Sequence, residues 1–491
     1  MSEIDFKADL PEFREKTAAF YAGEMTKQAY KGFSGYYGSY AQKGAKASML
    51  RLRMPAGRVT PQRLAFVARA IRHHGVQRIH FTTCQTIQLH DLTPDAVCAI
   101  IEEALDAGIV TMGGGGDFPR NVMCSPLSGV EPGEHFNVLP YAQAAGDYLL
   151  SFIKAEKMPR KLKVGFSNSP ANLTHATYRD LGFAARADGR FDVYSAGGLG
   201  NNPRFGVKVA EGVEPQDILP YIKAMWLTFR AYGNYENRGK ARTRYMQEAL
   251  GGAEAYKAAY LEKLAQVRES GEDLSLHVEP EAIAKAGDGT QAQGPRVLAQ
   301  KQPGLYAVAY HPLGGQPELT TFLALCDALA QMPGAELRLS PDEGAFIVNL
   351  TGEEAGRVLE LTEKDSAAVA LRDVGQLHRR GDLPGRRARF AGAAACLCAG
   401  RARGGASGRR APADSHLRLP LLLRHASDGQ ARLPRRRQAR GRQAAAGVRA
   451  LRGRRGAPGR GGDGPRAGRD AGRGHPRVPR GAGKDRYKKR P

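Results

Sequence analysis

Two hydrophobic periods alternate along residues 1–365. In "SMLRLRMP" (48–55) and "RIHFTTCQTIQLH" (78–90) apolar and polar residues alternate, the spacing of strands with one buried face. Between them, "TPQRLAFVARAIRHHG" opens on Thr-Pro, carries an apolar stripe at helical spacing and stops on Gly75, which predicts a capped helix. "TPDAVCAIIEEALDAG" (93–108) repeats that grammar. Strand-like and helix-like segments in alternation predict an α/β or α+β architecture.

The pattern also recurs. "MLRLRMPAG…RIHFTTCQTIQLHDLTPDAVCAIIEEAL" finds an echo in "AVAYHPLGG…ELRLSPDEGAFIVNLTGEEAGRVLELT". Leu92-Thr93 aligns with Leu350-Thr351, and Ile79, Phe81 and Leu89 align with Leu337, Leu339 and Ile347. Each copy reads strand, turn, helix, strand, strand, helix. That order suits a small ferredoxin-like α+β half-domain, with the two copies packed about a pseudo-two-fold axis. Between the copies lie "GGGGDFPRNVMCSP", "MPRKLKVGFSNSPANLTHATYRDLGFAA" and "YSAGGLGNNPRFG", which hold most of the unusual residues.

Charge divides the 491-residue chain, whose formal net charge is +24. Residues 366–491 hold 33 Lys and Arg against 7 Asp and Glu, whereas residues 1–365 hold 40 against 42. All the basic excess therefore lies in the last quarter. No segment is apolar enough over enough length to span a membrane. The start, "MSEIDFKADLPEFREK", lacks an apolar core and predicts no secretory signal. Six cysteines (Cys84, Cys98, Cys124, Cys326, Cys396 and Cys398) are too few for a disulfide scaffold, so a reducing cytoplasm is the expectation.

Taken singly, the candidate residues read plainly. Lys161 and Lys163 in "PRKLKVGF" suit the solvated face of a strand, and Arg120 suits a surface loop. Gly113–Gly116 lacks the Gly-Lys-Ser/Thr ending of a phosphate cradle and reads as a flexible connector. Cys98 and Cys124 read as small buried residues. His73, His74, His80 and His90 have no spacing that demands a metal. In order, however, "RLRMPAGRVTPQRL", "TTCQTIQLH", "PRNVMCSP", "PRKLK" and "GGLGNNPRFG" resemble five motifs of the sirohaem-containing nitrite/sulfite reductase family, over roughly residues 10–365.

The resemblance implies a reductase that passes electrons from ferredoxin or a flavoprotein through a [4Fe–4S] cluster and sirohaem to sulfite or nitrite. Sirohaem carries eight carboxylates and the substrate is an anion, so such a pocket needs fixed cations. By resemblance, Arg120, Lys161 and Lys163 are the catalytic cations that hold substrate and deliver protons. Arg51 and Arg53 are candidates for the haem periphery, with Cys84, Gln85, Asn121 and Arg204 in the cofactor-binding motifs. Cys84 departs from the pattern, because several family members carry Arg there.

The implied fold is α+β: two ferredoxin-like half-domain repeats plus an α/β sirohaem-binding domain, with a disordered C-terminal tail. The expected divisions are a helical lead-in (1–45), the first half-domain (46–112), the sirohaem and substrate domain (113–266), a surface excursion (267–302), the second half-domain (303–366) and the basic tail (367–491).

The resemblance fails at the cluster, whose four thiolates the family supplies from C-x5-C and C-x3-C pairs. Cys396 and Cys398 form only a C-x-C. Read one base out of register, the codons beneath "DSHLRLPLLLRHASDG" (414–429) permit I-H-I-S-G-C-P-S-S-C-G-T-H-Q-T-G, the family's second cluster motif. "LRDVGQLHRRGDLPGRRARF" permits the first under the same shift. The four hidden cysteines fall on the codons of Leu377, Leu383, Leu419 and Leu423. A frame shift between about Asp365 and Ala370 is therefore expected, from a sequencing error or a disabling mutation. Residues 372–483 contain no Lys, Glu, Thr, Asn, Ile or Met, as out-of-frame GC-rich coding would give. The chain as written is then expected to be inactive and its tail disordered. Two other readings are a basic-tailed nucleic-acid-binding protein and a tetrapyrrole-binding protein without catalysis. The tail has only Phe390 and Tyr487 to stack on bases and no RGG-type repeat, so no specific nucleic acid is expected.

Overall fold

In the computed structural model, residues 4–155, 157–200, 202–279 and 281–367 are described. The chain enters through α1 (Leu10–Tyr21) and α2 (Lys27–Ser34), then β1 (Ser39–Ala41) and β2 (Ser48–Arg53). The turn after β2 leads through β3 (Arg58–Val59) into α3 (Pro61–His73), followed by β4 (Arg78–Phe81), β5 (Thr86–Leu92) and α4 (Pro94–Asp106). The Thr-Pro signals act as read. Thr60 Oγ1 accepts from Arg63 N at 3.4 Å, Thr93 Oγ1 accepts from Ala96 N at 3.1 Å, and Gly75 and Gly108 follow the helices at positive φ. β1, β2, β5 and β4 form one antiparallel sheet in that order.

The middle of the chain runs β6 (Met123–Cys124), α5 (Leu139–Leu150), β7 (Val164–Ser167), β8 (Leu181–Ala185), β9 (Phe191–Ser195) and β10 (Val207–Val213). It ends in α6 (Ile218–Tyr232), α7 (Met246–Ala249) and α8 (Ala253–Glu269). Its sheet is mixed: β6, β7 and β8 run parallel, then β9 and β10 turn antiparallel. A core of Phe166, Phe183, Phe191, Ile222, Phe229, Tyr256 and Tyr260 lies between this sheet and its helices.

After an irregular stretch come β11 (Val297–Ala299), β12 (Tyr306–Tyr310), α9 (Leu319–Leu329), β13 (Glu336–Leu339), β14 (Ala345–Leu350) and α10 (Gly352–Thr362). Here the repeat becomes geometry. Ile79 pairs with Leu89 across β4–β5, and Leu337 pairs with Ile347 across β13–β14. The amide of Asp91 donates to Gln42 Oε1, whose Nε2 returns to Asp91 Oδ1; Asn349 and Gln300 exchange the same two bonds. Asp91 and Asn349 share a left-handed backbone, at φ 63° and 61°.

The copies also exchange parts. β3 leaves the first copy and adds to the second sheet, pairing with β13 to give the order β11-β12-β14-β13-β3. Phe81 meets Tyr310 and Phe322 edge to face, at 6.2 and 6.0 Å, inside one core shared by both copies. Gly57 and Gly315 hold the crossing backbones close. A Cβ on Gly57 would lie 2.9 Å from Leu339 O, and one on Gly315 would lie 2.8 Å from Phe81 O, the equivalent atom. Among the described residues no helix is long and apolar enough to cross a membrane. The basic tail, with Leu377, Leu383, Leu419 and Leu423, lies outside the described residues.

Candidate anion site

The polar face of the first sheet and the loops after it converge on a group of cations. Arg51, on β2, donates to Gly114 O. It also meets the Gln88 amide on β5. With that amide turned to serve both sides, its oxygen accepts from Arg51 Nε at 3.2 Å and its nitrogen donates to His80 Nδ1 at 3.2 Å and His90 Nε2 at 3.1 Å. Burial, Arg78 and His80 hold His90 down at about 4, so it stays neutral.

Arg120 follows the glycine run and binds it with both terminal nitrogens, to Gly114 O and to Gly116 O at 2.7 Å. The expectation of a flexible connector at Gly113–Gly116 is therefore corrected. A Cβ on Gly114 would sit 2.8 Å from Thr111 O and one on Gly115 2.5 Å from Gly35 O, so the run is glycine because it is packed against backbone. Its carbonyls fix two arginines.

Lys161 and Lys163 flank Leu162, which is 1% exposed, just ahead of β7. Alternation on an extended segment sends the apolar residue into the core and both lysines to the opposite side. Pro119 and Leu162 form a parallel bridge, and Arg120 N donates to Leu162 O at 2.8 Å, which sets Arg120 beside the lysines. Burial, then Lys163, Arg120 and Arg242, bring Lys161 down to about 7. Lys163 is also lowered overall: the Cys84 thiol raises it, but burial, Arg179 and Arg242 prevail. Arg120 is brought down to about 10 by burial and Arg51. Burial opposes ionisation of Cys84, yet Lys163, Arg51 and Arg179 hold its thiol at about 6.

Two members of this group carried no signal in the sequence. Arg179, in the loop before β8, donates through Nε to Thr174 O at 2.6 Å. Arg242 pairs with the buried Asp180, whose carboxylate also accepts from Lys163 N at 2.8 Å and from Thr243 Oγ1. Both arginines lie in irregular segments where no periodicity marks an inward side chain. Arg51, Arg120, Lys161 and Lys163 form no ion pair among the described residues, and the Nε atoms of Arg120 and Arg242 are buried without a hydrogen-bond partner. A dense group of cations with buried donors left unpartnered suits an anion.

The remaining candidates hold the frame. Arg53, expected beside Arg51 at the periphery, is 3% exposed and turns its guanidinium onto the carbonyls of Met112, Pro119 and Arg120. The Gln85 amide bonds Cys124 N and O at 2.8 Å each, and Leu339 O, thereby tying the first sheet, β6 and the second sheet together. Asn121 Nδ2 donates to the carbonyls of Cys84 and Gln85 at 3.0 Å. Arg204 exchanges backbone bonds with Gly198 at 2.9 and 3.0 Å, but its side chain is exposed and has no hydrogen bond or ion pair to the cation group among the described residues. Cys98 and Cys124 are buried, and burial pushes the Cys124 thiol to about 12. Among the described residues no group of three or more His, Cys, Asp or Glu is placed to hold a metal.

Comparison with known proteins adds context to this geometry. Residues 40–107 match the family described as the nitrite/sulfite reductase ferredoxin-like half domain, and residues 115–267 the nitrite and sulphite reductase 4Fe-4S domain. The chain is 31% identical to the sulfite reductase [NADPH] hemoprotein beta-component of Thiocapsa roseopersicina over 237 residues, 41% of this chain and 42% of that protein. It is 26% identical to the chloroplastic ferredoxin–nitrite reductase of Zea mays over 323 residues, 63% of this chain and 55% of that one. The chain thus spans about half the length of these relatives. The solved structure of Mycobacterium tuberculosis NirA matches in fold with a TM-score of 0.58 at 21% identity, covering 73% of this chain and 68% of that one.

Proposed function

The chain belongs to the nitrite/sulfite reductase family, and from that premise we propose that residues 10–365 are the sirohaem- and substrate-binding part of a cytoplasmic reductase of sulfite or nitrite. Its electrons would come from ferredoxin or a flavoprotein. The observation that carries this reading is the group of Arg51, Arg120, Lys161, Lys163, Arg179 and Arg242, drawn from five separate segments to one place.

These residues fit a polycarboxylate tetrapyrrole. Buried guanidinium nitrogens without partners are the donors that such a group would satisfy. Arg51, on the open sheet, and Arg120 would hold sirohaem carboxylates. When bound, sirohaem would supply the iron at which the oxyanion is reduced. The chain's own part is to hold the oxyanion by charge and to feed protons. Lys161 suits the second task because a group held at about 7 gives up and recovers a proton near neutral pH. Arg53, Gln85 and Asn121 position the cations through backbone bonds.

The cluster does not fit the chain as written. The four described cysteines, Cys84, Cys98, Cys124 and Cys326, are scattered and free, and Cys396 and Cys398 give only two thiols close in sequence. The proposal is therefore a chain that binds tetrapyrrole without sustained turnover, its cluster motifs displaced by a one-base shift near Asp365. Reading the gene across codons 360–375 and expressing both frames tests this. The restored frame should show a sirohaem band and reductase turnover, and the 491-residue chain no turnover. Turnover from the unaltered chain would overturn the inactivity.

A further inference from the structure

One length of chain between α8 and β11 keeps the period of a strand but joins no sheet. Leu274, Leu276 and Val278, then Ile283, Lys285 and Gly287, are buried or half-buried between exposed neighbours. Among the described residues, 277–279 and 281–287 form no backbone–backbone hydrogen bond. The anchors lie at the two ends. Leu276 N donates to Gln216 O at 2.9 Å, and the Asp288 carboxylate accepts from Gly352 N at 3.2 Å and Glu353 N at 3.0 Å at the start of α10. Between the anchors three side chains hold the strap down. Glu281 pairs with Arg58 at 2.6 Å, Ile283 packs on the apolar seat of Leu127, Val130 and Val348, and Lys285 pairs with Glu354. The strap borders a cavity of about 810 Å³, lined also by Arg58, Glu336, Arg338, Asn137, Gln302 and Asn349. The cavity floor needs one more carboxylate than it carries. The Nε atoms of Arg58 and Arg338 both donate to Glu336, at 2.9 and 3.2 Å, and Glu281 of the strap supplies the second anion. With the strap lifted, two guanidiniums would share one carboxylate beside an uncovered apolar seat. The Glu281 side chain is 75% exposed, so its ion pair is easily broken.

We infer that this surface is a peptide-docking site and that the strap is its displaceable resident. The guest is an extended segment of a partner protein, with an acidic side chain two residues before an aliphatic one and a basic side chain two residues after it. An extended chain presents alternate side chains to one face, and the surface has a seat for each of the three. Arg58 takes the carboxylate, Leu127, Val130 and Val348 take the aliphatic group, and Glu354 takes the cation. Anchored at both ends on its own chain, the strap bows outward to admit the guest and closes again when the guest leaves. While closed it competes as an intramolecular ligand, at the millimolar effective concentration of a short tether.

Two measurements on the full chain test this. The first is fluorescence anisotropy with a labelled peptide of the strap's own sequence, HVEPEAIAKAG (277–287). A scrambled peptide of the same composition measures the background from the basic tail. Glu281→Gln with Ile283→Ser frees the strap and leaves the floor of the site intact. The freed chain should bind the peptide at least roughly tenfold more tightly than the unaltered chain, because the tethered competitor is gone. Adding Arg58→Gln should undo that gain. Equal binding by the two chains, binding indifferent to Arg58, or binding no better than the scrambled peptide overturns the proposal. Self-association of the freed chain without peptide binding would make the occupant a second copy, and overturns the partner as well. The second measurement is hydrogen exchange on the unaltered chain, which needs no variant to fold. The amides of 281–287 should exchange at least roughly a hundredfold faster than those of β14. Equal protection would mean a strap that does not lift, and the docking site would fall with it.

Discussion

The two half-domains share one backbone and present opposite chemistry on equivalent faces. In both, the helix-covered face is apolar: Leu50, Leu52, Ile79, Phe81, Ile87 and Leu89 in the first, and Val308, Tyr310, Leu337, Leu339, Ala345 and Ile347 in the second. On the other face the first copy carries Arg51, His80, Gln88 and His90. The second carries Ala309, Arg338, Phe346 and Val348 at the equivalent positions. There the chain covers itself: Leu127 and Val130, from the loop after β6, pack on Ala307 and Val348 with Ile283 and Phe346 alongside. Arg338 turns its guanidinium to Ser128 O at 2.6 Å and pairs with Glu336. The pins that set the backbone survive in both copies, while the face residues diverged. One copy kept a polar surface and the other became a seat for the chain's own loop.

Six substitutions, grouped in four tests from the largest expected effect to the smallest, would break or sharpen that contrast. Val348→Asp places a charge in the covered face and should cost about 4 kcal/mol in urea unfolding. His90→Asp, its equivalent in the first copy, should cost under about 1 kcal/mol; equal losses would mean that both faces are packed alike. Gln85→Ala removes the clasp between the two sheets and β6, and leaves buried backbone groups of Cys124 and Leu339 unpaired. Its cost should be about 2–3 kcal/mol, seen as a lowered thermal midpoint.

The matched Gln pins should differ modestly. Gln300 is 7% exposed and Gln42 lies closer to solvent, so Gln300→Ala should cost about 2 kcal/mol and Gln42→Ala about 1 kcal/mol. The smallest effect is His90's own titration. The folded protein holds it at about 4, below the ordinary 6.5, so the unfolded chain takes up the proton first. Its contribution to stability is whole above pH 6.5 and is lost as the pH falls toward 4. His90→Gln should flatten that part of the stability curve, and an unchanged slope would contradict it.

Much of this frame was legible in the sequence because it rests on local rules. Thr-Pro starts, Gly stops and strand alternation marked the helices and sheets, and the alignment of Leu92 with Leu350 became a shared register. The pattern could not show β3 joining the other copy's sheet, since two residues carry no period. The site was legible in part. Lys161 and Lys163 stood out by alternation around Leu162. Arg179, Arg242 and Asp180 did not, because irregular loops place them and only the tertiary fold brings them in. Arg53 looked like a partner of Arg51 because strand alternation puts both on one face. It turns inward because the carbonyls of the loop at 112–120 need its donors.

The most direct test of the cation group that Arg51 on the first-copy face shares with Arg120 and Lys163 of the following segments is a titration of the full chain with an octacarboxylate porphyrin, followed by its visible absorption at moderate salt. The basic tail gives every variant the same weak, salt-sensitive background. Above that background, Arg120→Gln and Lys163→Gln should weaken the tight component at least about tenfold, and Lys301→Gln, on the second copy, should leave it intact. A tight component indifferent to Arg120 and Lys163, or one that Lys301→Gln removes as readily, would contradict the account.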